Sequence, residues 1–229
     1  MNIKITDRFV LIEDSNFSQF GPEDFVTLCS DYERETIVLH GKELEESLSF
    51  IENNFKSDYF VQLGFTAAKD SIVLDTFDRK TQLKQRKYVS NMEAYDDIET
   101  SYRNEKNENW FNYIPNSIHQ ENLDYLKNET IPSRVFSLED QMNQVVATVM
   151  TFDSLFYTGV TVDQVGWVWI KRGISKEQRK EAHYKISRWL KDNLVQDFFQ
   201  AGIHIENYRS QNFFKKIGFK VQCAHISQK

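Results

Sequence analysis

The sequence predicts an α/β fold in two parts: a partial α/β unit over residues 1–87 and a fuller α/β domain over 88–229. Three observations lead there. Segments with helical spacing of apolar residues interleave with short strand-like runs, rather than segregating into blocks. The run Val165-Gly166-Trp167-Val168-Trp169-Ile170 is almost wholly apolar, as a central strand covered on both faces would be. The C-terminal stretch Ile203-His204-Ile205-Glu206-Asn207, then Ser210 and Phe213-Phe214-Lys215-Lys216-Ile217-Gly218-Phe219, reads as a strand, a short helix and a turn into another strand.

In chain order, the first part has strands near 9–12 and 36–40, and then a helix near 42–54 with Leu44, Leu48 and Ile51 at helical spacing. A short helix leading into Leu63-Gly64-Phe65 and a strand over 71–76 complete it, and the charged stretch 78–87 reads as a connector. Tyr59-Phe60-Val61-Gln62-Leu63-Gly64-Phe65 is similar to Phe213–Phe219, each read as a helix stopped by a glycine, and this weak repeat suggests two related halves. The second part opens with helical patterns near 91–102 and 118–127. A hairpin follows, with strands near 134–138 and 144–152 about the polar turn 139–143. A strand over 164–170 leads to a helix over 176–192 with Ala182, Ile186, Trp189 and Leu190 in one stripe and Asn193 as C-cap. A strand near 198–205, a helix near 208–217 and a strand near 221–223 close the chain.

Composition narrows the function classes. Apolar residues make up 40% of the 229 and aromatic residues 14%, enough for a packed core. A net charge of −6 argues against nucleic-acid binding, which needs clustered cations. Cys29 and Cys223 have no metal-site or disulfide-framework spacing, and the five histidines, His119 among them, show no ligand spacing. No apolar stretch approaches the ~20 residues that cross a bilayer, and no signal-like run follows the first residues, so a cytoplasmic protein is expected.

The C-terminal stretch resembles the closing segment of the GCN5-related N-acetyltransferases, which runs strand, Asn, a small residue three later, then Tyr-x-x-Leu-Gly-Phe. The order of elements over 88–229 is also similar to that family's. The resemblance implies a mixed twisted sheet flanked by helices, here with an N-terminal partial unit of similar type. The two-part arrangement is similar to that of bacterial sugar-nucleotide acetyltransferases such as TDP-fucosamine acetyltransferase. It implies acyl transfer from acetyl-CoA or another acyl-CoA to a small-molecule amine, an amino-sugar nucleotide being one option. Self-association as a homodimer stays open.

The same resemblance implies where the co-substrate would lie. Its pantetheine would pair with the end of the central strand at Val168, Trp169 and Ile170. Its pyrophosphate would meet the family's Arg/Gln-x-x-Gly-x-Gly/Ala loop, for which two registers compete, Gln178–His183 and Arg179–Tyr184. In the first, Gln178, Arg179, Lys180, Ala182 and His183 lie along the site, and Glu181 and His183 stand where the family has small residues. The residues themselves offer a third reading. Ser175 and Gln178 have capping-box spacing, which moves the anion site to the turn Lys171-Arg172-Gly173-Ile174-Ser175. That turn is also simply a strand-to-helix connection. Asn207 and Ser210 match family positions beside the co-substrate, and Phe214 stands at a further one, where it replaces a Tyr and has no proton to give; Asn207 also suits a helix N-cap. His204, Glu206 and Tyr208 are the candidate catalytic groups, with no base assigned. The departures at Glu181, His183 and Phe214 support the alternative of a catalytically inactive binding module with this fold.

Overall fold

The computed structural model describes residues 2–14, 17–42, 44–78, 82–106, 133–156 and 158–229. Over these the order is β1 (Asn2–Ile5), β2 (Val10–Glu13), α1 (Pro22–Tyr32), β3 (Thr36–His40), α2 (Leu44–Phe55), β4 (Tyr59–Ala68), β5 (Lys84–Gln85) and α3 (Asn91–Lys106). Then come β6 (Ser133–Glu139), β7 (Val145–Leu155), β8 (Thr161–Ile170), α4 (Lys176–Asn193), β9 (Phe198–His204), α5 (Tyr208–Lys216) and β10 (Lys220–Gln228). The class is α/β with mixed sheet pairing and flanking helices. Among the described residues no helix is long and apolar enough to cross a membrane.

The chain forms two compact units, Met1–Thr66 together with Ala201–Lys229, and Ala67–Gln200. This division differs from the linear break at 87/88, because the C-terminal strand is built into the N-terminal sheet. In the first unit the strand order is β1-β2-β3-β10-β4-β9. β10 is antiparallel to β3 on one side and to β4 on the other, while β2 and β3 run parallel. Helices α1 and α2 contribute Phe25 and Phe55, fully buried and packed edge-on at 6.3 Å between ring centroids.

In the second unit the order is β8-β7-β6-β5, all antiparallel. Alternation along the strands sends side chains to opposite faces. On one face Trp167 and Trp169 pack with Met150, Phe152 and Ile98 of α3. On the other, Phe136 stacks on Trp189 of α4 at 5.5 Å, and Ala182, Ile186 and Leu190 of that helix are fully buried. The stripe expected for this helix is the one it buries. The helix runs through Asn193 to a cap at Leu194, and Asn193 Nδ2 instead donates to Trp189 O at 2.9 Å. The helix expected at 118–127 lies outside the described residues.

The glycine repeat is corrected. Tyr59–Ala68 is a strand, with Val61, Leu63 and Phe65 all buried at period two, and that alternation outweighs a helix-stop reading of Gly64. The strand expected at 71–76 is a 3-10 turn, Lys69–Ser71, followed by irregular backbone. Gly218 does end a helix, at φ 97°. Gly64 serves a close approach instead, since a Cβ there would overlap Cys223 Sγ of β10. Three elements were not read from the sequence: β1, α1 and β5, the last lying in the stretch 78–87 read as a connector. Helix α1 starts with Pro22 at its first position, and Asp24 Oδ2 accepts from Gly21 N at 2.8 Å, but Phe25 alone is buried, so its apolar stripe is faint.

The Gly64–Cys223 contact predicts a measurable coupling. Gly64→Ala should cost about 1–3 kcal/mol in urea unfolding by overpacking. Adding Cys223→Ala should restore part of it, whereas an unchanged midpoint for Gly64→Ala would show that β10 has room to shift.

Candidate functional site

The implied site residues fall into both units. In the second, the end of β8 leads through a turn into α4. Trp169 and Ile170 are buried and Val168 is half-buried, its backbone paired with Val149 of β7. Trp169 belongs to the core cluster, as paired tryptophans on a central strand usually do. Past the strand, Lys171 N donates to Val146 O at 2.8 Å, and Gly173 takes a left-handed φ of 74° with open space where a Cβ would stand.

Helix α4 begins as the capping box requires. Ser175 Oγ accepts from Gln178 N at 3.1 Å, and Gln178 Oε1 accepts from Ser175 N at 3.1 Å. Gln178, Arg179, Lys180, Ala182 and His183 therefore lie inside the helix. Arg179 and Lys180 are exposed, Ala182 is in the core, and His183 is half-buried with its carbonyl accepting from Ser187 Oγ.

Glu181 does not face the turn ahead of its helix. It is fully buried, accepts from Gln82 N at 2.8 Å and Leu83 N at 3.2 Å, and pairs with Lys185 Nζ at 2.9 Å. Lys185 Nζ also donates to Leu83 O at 2.6 Å. The carboxylate is an internal anchor for the segment before β5. An acid where the family pattern has a small residue has this structural cause, and a single sequence carries no sign of a partner about 100 positions away.

In the first unit, Asn207 caps α5: its side chain accepts from Ser210 N at 3.1 Å, and its backbone N–H reaches His204 O at 2.9 Å. Phe214 is buried in an aromatic cluster, with ring centroids 4.9 Å from Phe219, 5.1 Å from Phe213 and 6.4 Å from Phe65. His204, at the end of β9, is 5% exposed, and its Nδ1 accepts from Glu206 N at 3.3 Å, which leaves any proton of the neutral ring on Nε2. Burial, and secondarily the Lys229 charge, hold its pKa down at about 4. It is neutral at pH 7 but a weak base. Tyr208 is half exposed and donates to Glu52; that hydrogen bond, ahead of desolvation, raises its pKa to about 12. Glu206 is exposed.

A feature the sequence did not reveal is a cleft of about 350 Å³ within the second unit, under α3. Its walls come from Arg86, from Asp97 on α3, from the β6–β7 turn at Asn143 and Gln144, and from Trp169 and Lys171. Four separated segments supply it, so no local spacing marks it. Among the described residues no group of three or more His, Cys, Asp or Glu side chains is placed to hold a metal.

Two outcomes follow. Glu181→Ala leaves two backbone donors without their acceptor and Lys185 with Leu83 O in place of its ion pair, and should cost about 3 kcal/mol while accelerating amide exchange at Gln82 and Leu83. Unchanged exchange there would remove the anchor role. His204 titrates near 6.5 unfolded and near 4 folded, so its contribution to stability is complete above pH 6.5 and declines as pH falls through the window from 6.5 to 4. The slope from this one group is at most about 1.4 kcal/mol per pH unit, and His204→Gln should flatten it in denaturant midpoints measured between pH 4 and 7.

No family model matches the chain, and no curated protein matches it. Solved structures do. A conserved protein of unknown function from Bacteroides thetaiotaomicron aligns with a TM-score of 0.52 at 8% identity, covering 96% of this chain and 79% of its own. A GCN5-related N-acetyltransferase from Kribbella flavida aligns at 0.45 and 10% identity, covering 96% and 80%. Another from Sphaerobacter thermophilus aligns at 0.44 and 10%, covering 95% and 71%. The likeness is one of fold alone.

Proposed function

We propose that the chain is an acyl-coenzyme A-dependent N-acyltransferase acting on a small-molecule amine. The observation that carries this reading is the start of α4. The Ser175 capping box sets the helix boundary, so the turn 171–174 precedes an 18-residue helix at its positive end. Arg172 and a left-handed Gly173, with open space at its Cα, stand in that turn. Backbone N–H groups at such a helix start suit a pyrophosphate, and Gly173 permits close backbone approach. Glu181, the residue most at odds with an anion nearby, is turned to Gln82 and Leu83.

Bound acyl-coenzyme A would supply a thioester carbonyl open to direct attack by the amine. The chain's part in this reading is positional. Backbone donors near Val168–Ile170 hold the carbonyl. Arg172, with the exposed Arg179 and Lys180 on the first turns of α4, attracts the pyrophosphate. Phe214, enclosed by three phenylalanines, gives no proton, so water relays the proton that the attacking amine nitrogen loses to the leaving thiolate. His204 is too weak a base to deprotonate an ammonium at neutral pH, and the amine enters already neutral. An amino-sugar nucleotide is the acceptor class that the two-part resemblance favours.

The enclosure of Phe214 and the capping role of Asn207 favour a second reading, a module with this fold and no catalysis. Calorimetric titration with acetyl-coenzyme A separates the two. Micromolar binding that weakens at least about tenfold in Arg172→Glu, Arg179→Glu is expected for a working site. No heat from the wild-type protein would leave the binding-module reading.

A further inference from the structure

We infer that the outer edge of β1 is a self-association surface, where β1 of a second copy pairs with it antiparallel about a two-fold axis at Lys4. β1 is the last strand on its side of the first unit's sheet, and no described strand lies beyond it. Its register with β2 is unbroken: Ile3 stands opposite Ile12, Lys4 opposite Leu11 and Ile5 opposite Val10. Thr6 N donates to Phe9 O at 3.0 Å, so Thr6 turns its N–H to the β2 side of the hairpin. Antiparallel ladders alternate. Lys4 and Asn2 therefore also turn to β2, and Ile3 and Ile5 turn their backbone N–H and C=O groups outward.

Sheet edges are usually blunted by an exposed charge, a proline or a bulge. The rim of β1 has none of these. The strand contains no proline and no register shift. Its one charge is bent back: Lys4 Nζ lies 2.8 Å from Glu13 Oε2, and Asn2 Nδ2 donates to the same oxygen at 3.1 Å. On the opposite face Val10 and Ile12 are fully buried, but Ile5 beside Val10 is 53% exposed and Ile3 is half-buried. The apolar cover thus stops short of β1.

A second β1 answers both the open backbone and the uncovered isoleucines. With Lys4 on the axis, Ile3 stands opposite Ile5 of the copy, and Ile5 opposite its Ile3, as hydrogen-bonded pairs. Their side chains form one apolar row continuing that of Val10 and Ile12. On the other face the two Lys4 ammonium groups meet at the axis, and each brings its own Glu13, so these charges cancel. His40 Nδ1 lies 3.9 Å from Glu13 Oε1, and Asp7 and Arg8 in the hairpin turn cancel each other. A foreign strand would have to match both faces, whereas a second copy matches them by symmetry. The hairpin is held beforehand: Phe9 N donates to Thr6 Oγ1 at 2.9 Å and Arg34 Nε to Thr6 O at 2.7 Å, so little is lost on ordering. None of these residues has a step in the acyl-transfer reading, and the two stand or fall separately.

The test is sedimentation equilibrium of the full chain from about 10 μM to about 1 mM, with amide exchange and cross-linking at the same concentrations. A monomer–dimer equilibrium with a Kd of about 100 μM or tighter is expected, in keeping with a small interface. Amide exchange at Ile3 and Ile5 should slow as concentration rises, while that of Lys4, already bonded to β2, should not. Ile5→Lys should weaken the dimer at least about tenfold, with the urea midpoint checking that the fold is kept. In a Cys29→Ser background, Lys4→Cys places two thiols across the axis on Cα atoms about 4.5 Å apart, within disulfide reach. Asn2→Cys leaves its two thiols roughly 14 Å apart along the strands. Mild oxidation should therefore link the Lys4→Cys protein at least about tenfold faster. The inference is overturned if the chain is monomeric at about 1 mM, if Ile5→Lys dimerises as wild type, or if Asn2→Cys links as fast as Lys4→Cys. A monomer would leave the edge to an extended strand of another protein. Failure of acetyl-coenzyme A to bind leaves all of these readouts intact.

Discussion

The first unit depends on one strand being paired on both edges. β10 comes last in the chain but lies between β3 and β4, with Cys223 opposite His40 on one side and Gly64 on the other. Eight ladder partners on β4 and five on β3 hold it. A strand in that position satisfies the backbone groups of both neighbours, which would otherwise form two open edges. It also sets where α5 and the end of β9 can lie, because only a two-residue turn at Ile217-Gly218 plus Phe219 separates α5 from β10. Gly64 follows from this arrangement, since the Cys223 sulfur fills the space a side chain would need.

In the second unit, buried carboxylates do the corresponding work. Asp163, fully buried on β8, accepts from Val195 N and Gln196 N at 2.8 Å each and pairs with Arg134. Glu181 does the same for Gln82 and Leu83. Each carboxylate thus satisfies two backbone donors in irregular chain next to regular structure. Charged acceptors in such places form strong hydrogen bonds, and they are costly to leave unpaired. A position that departs from a binding-loop pattern can therefore be explained by packing. Glu181 bears on the acyl-transfer reading only by being absent from the turn.

From Ser133 onward the elements were largely legible, because their signals are local. The β-branched run of Val145–Leu155, the apolar run of Thr161–Ile170 and the Ser175–Gln178 box each occupy one stretch of sequence, and each element lies within a few residues of its expected place. Asn207 as a cap was legible for the same reason. Helix α1 was missed because one buried phenylalanine makes no stripe, and β4 was misread because a glycine before Phe resembles a helix stop whichever element contains it.

The sequence by itself determined the α/β class, the buried faces of α4 and β8, and the strand–helix–strand close, and it offered the capped start of α4 as one of three readings. These rest on period and capping, which act over three or four residues. Only the tertiary structure decided that β10 inserts into the N-terminal sheet, that Gly64 makes room for Cys223, that Glu181 reaches Gln82 and Leu83, and that Arg86, Asp97, Asn143 and Lys171 share a cleft. Those are pairings between residues from about ten to nearly two hundred positions apart, and the composition of either partner alone does not encode them.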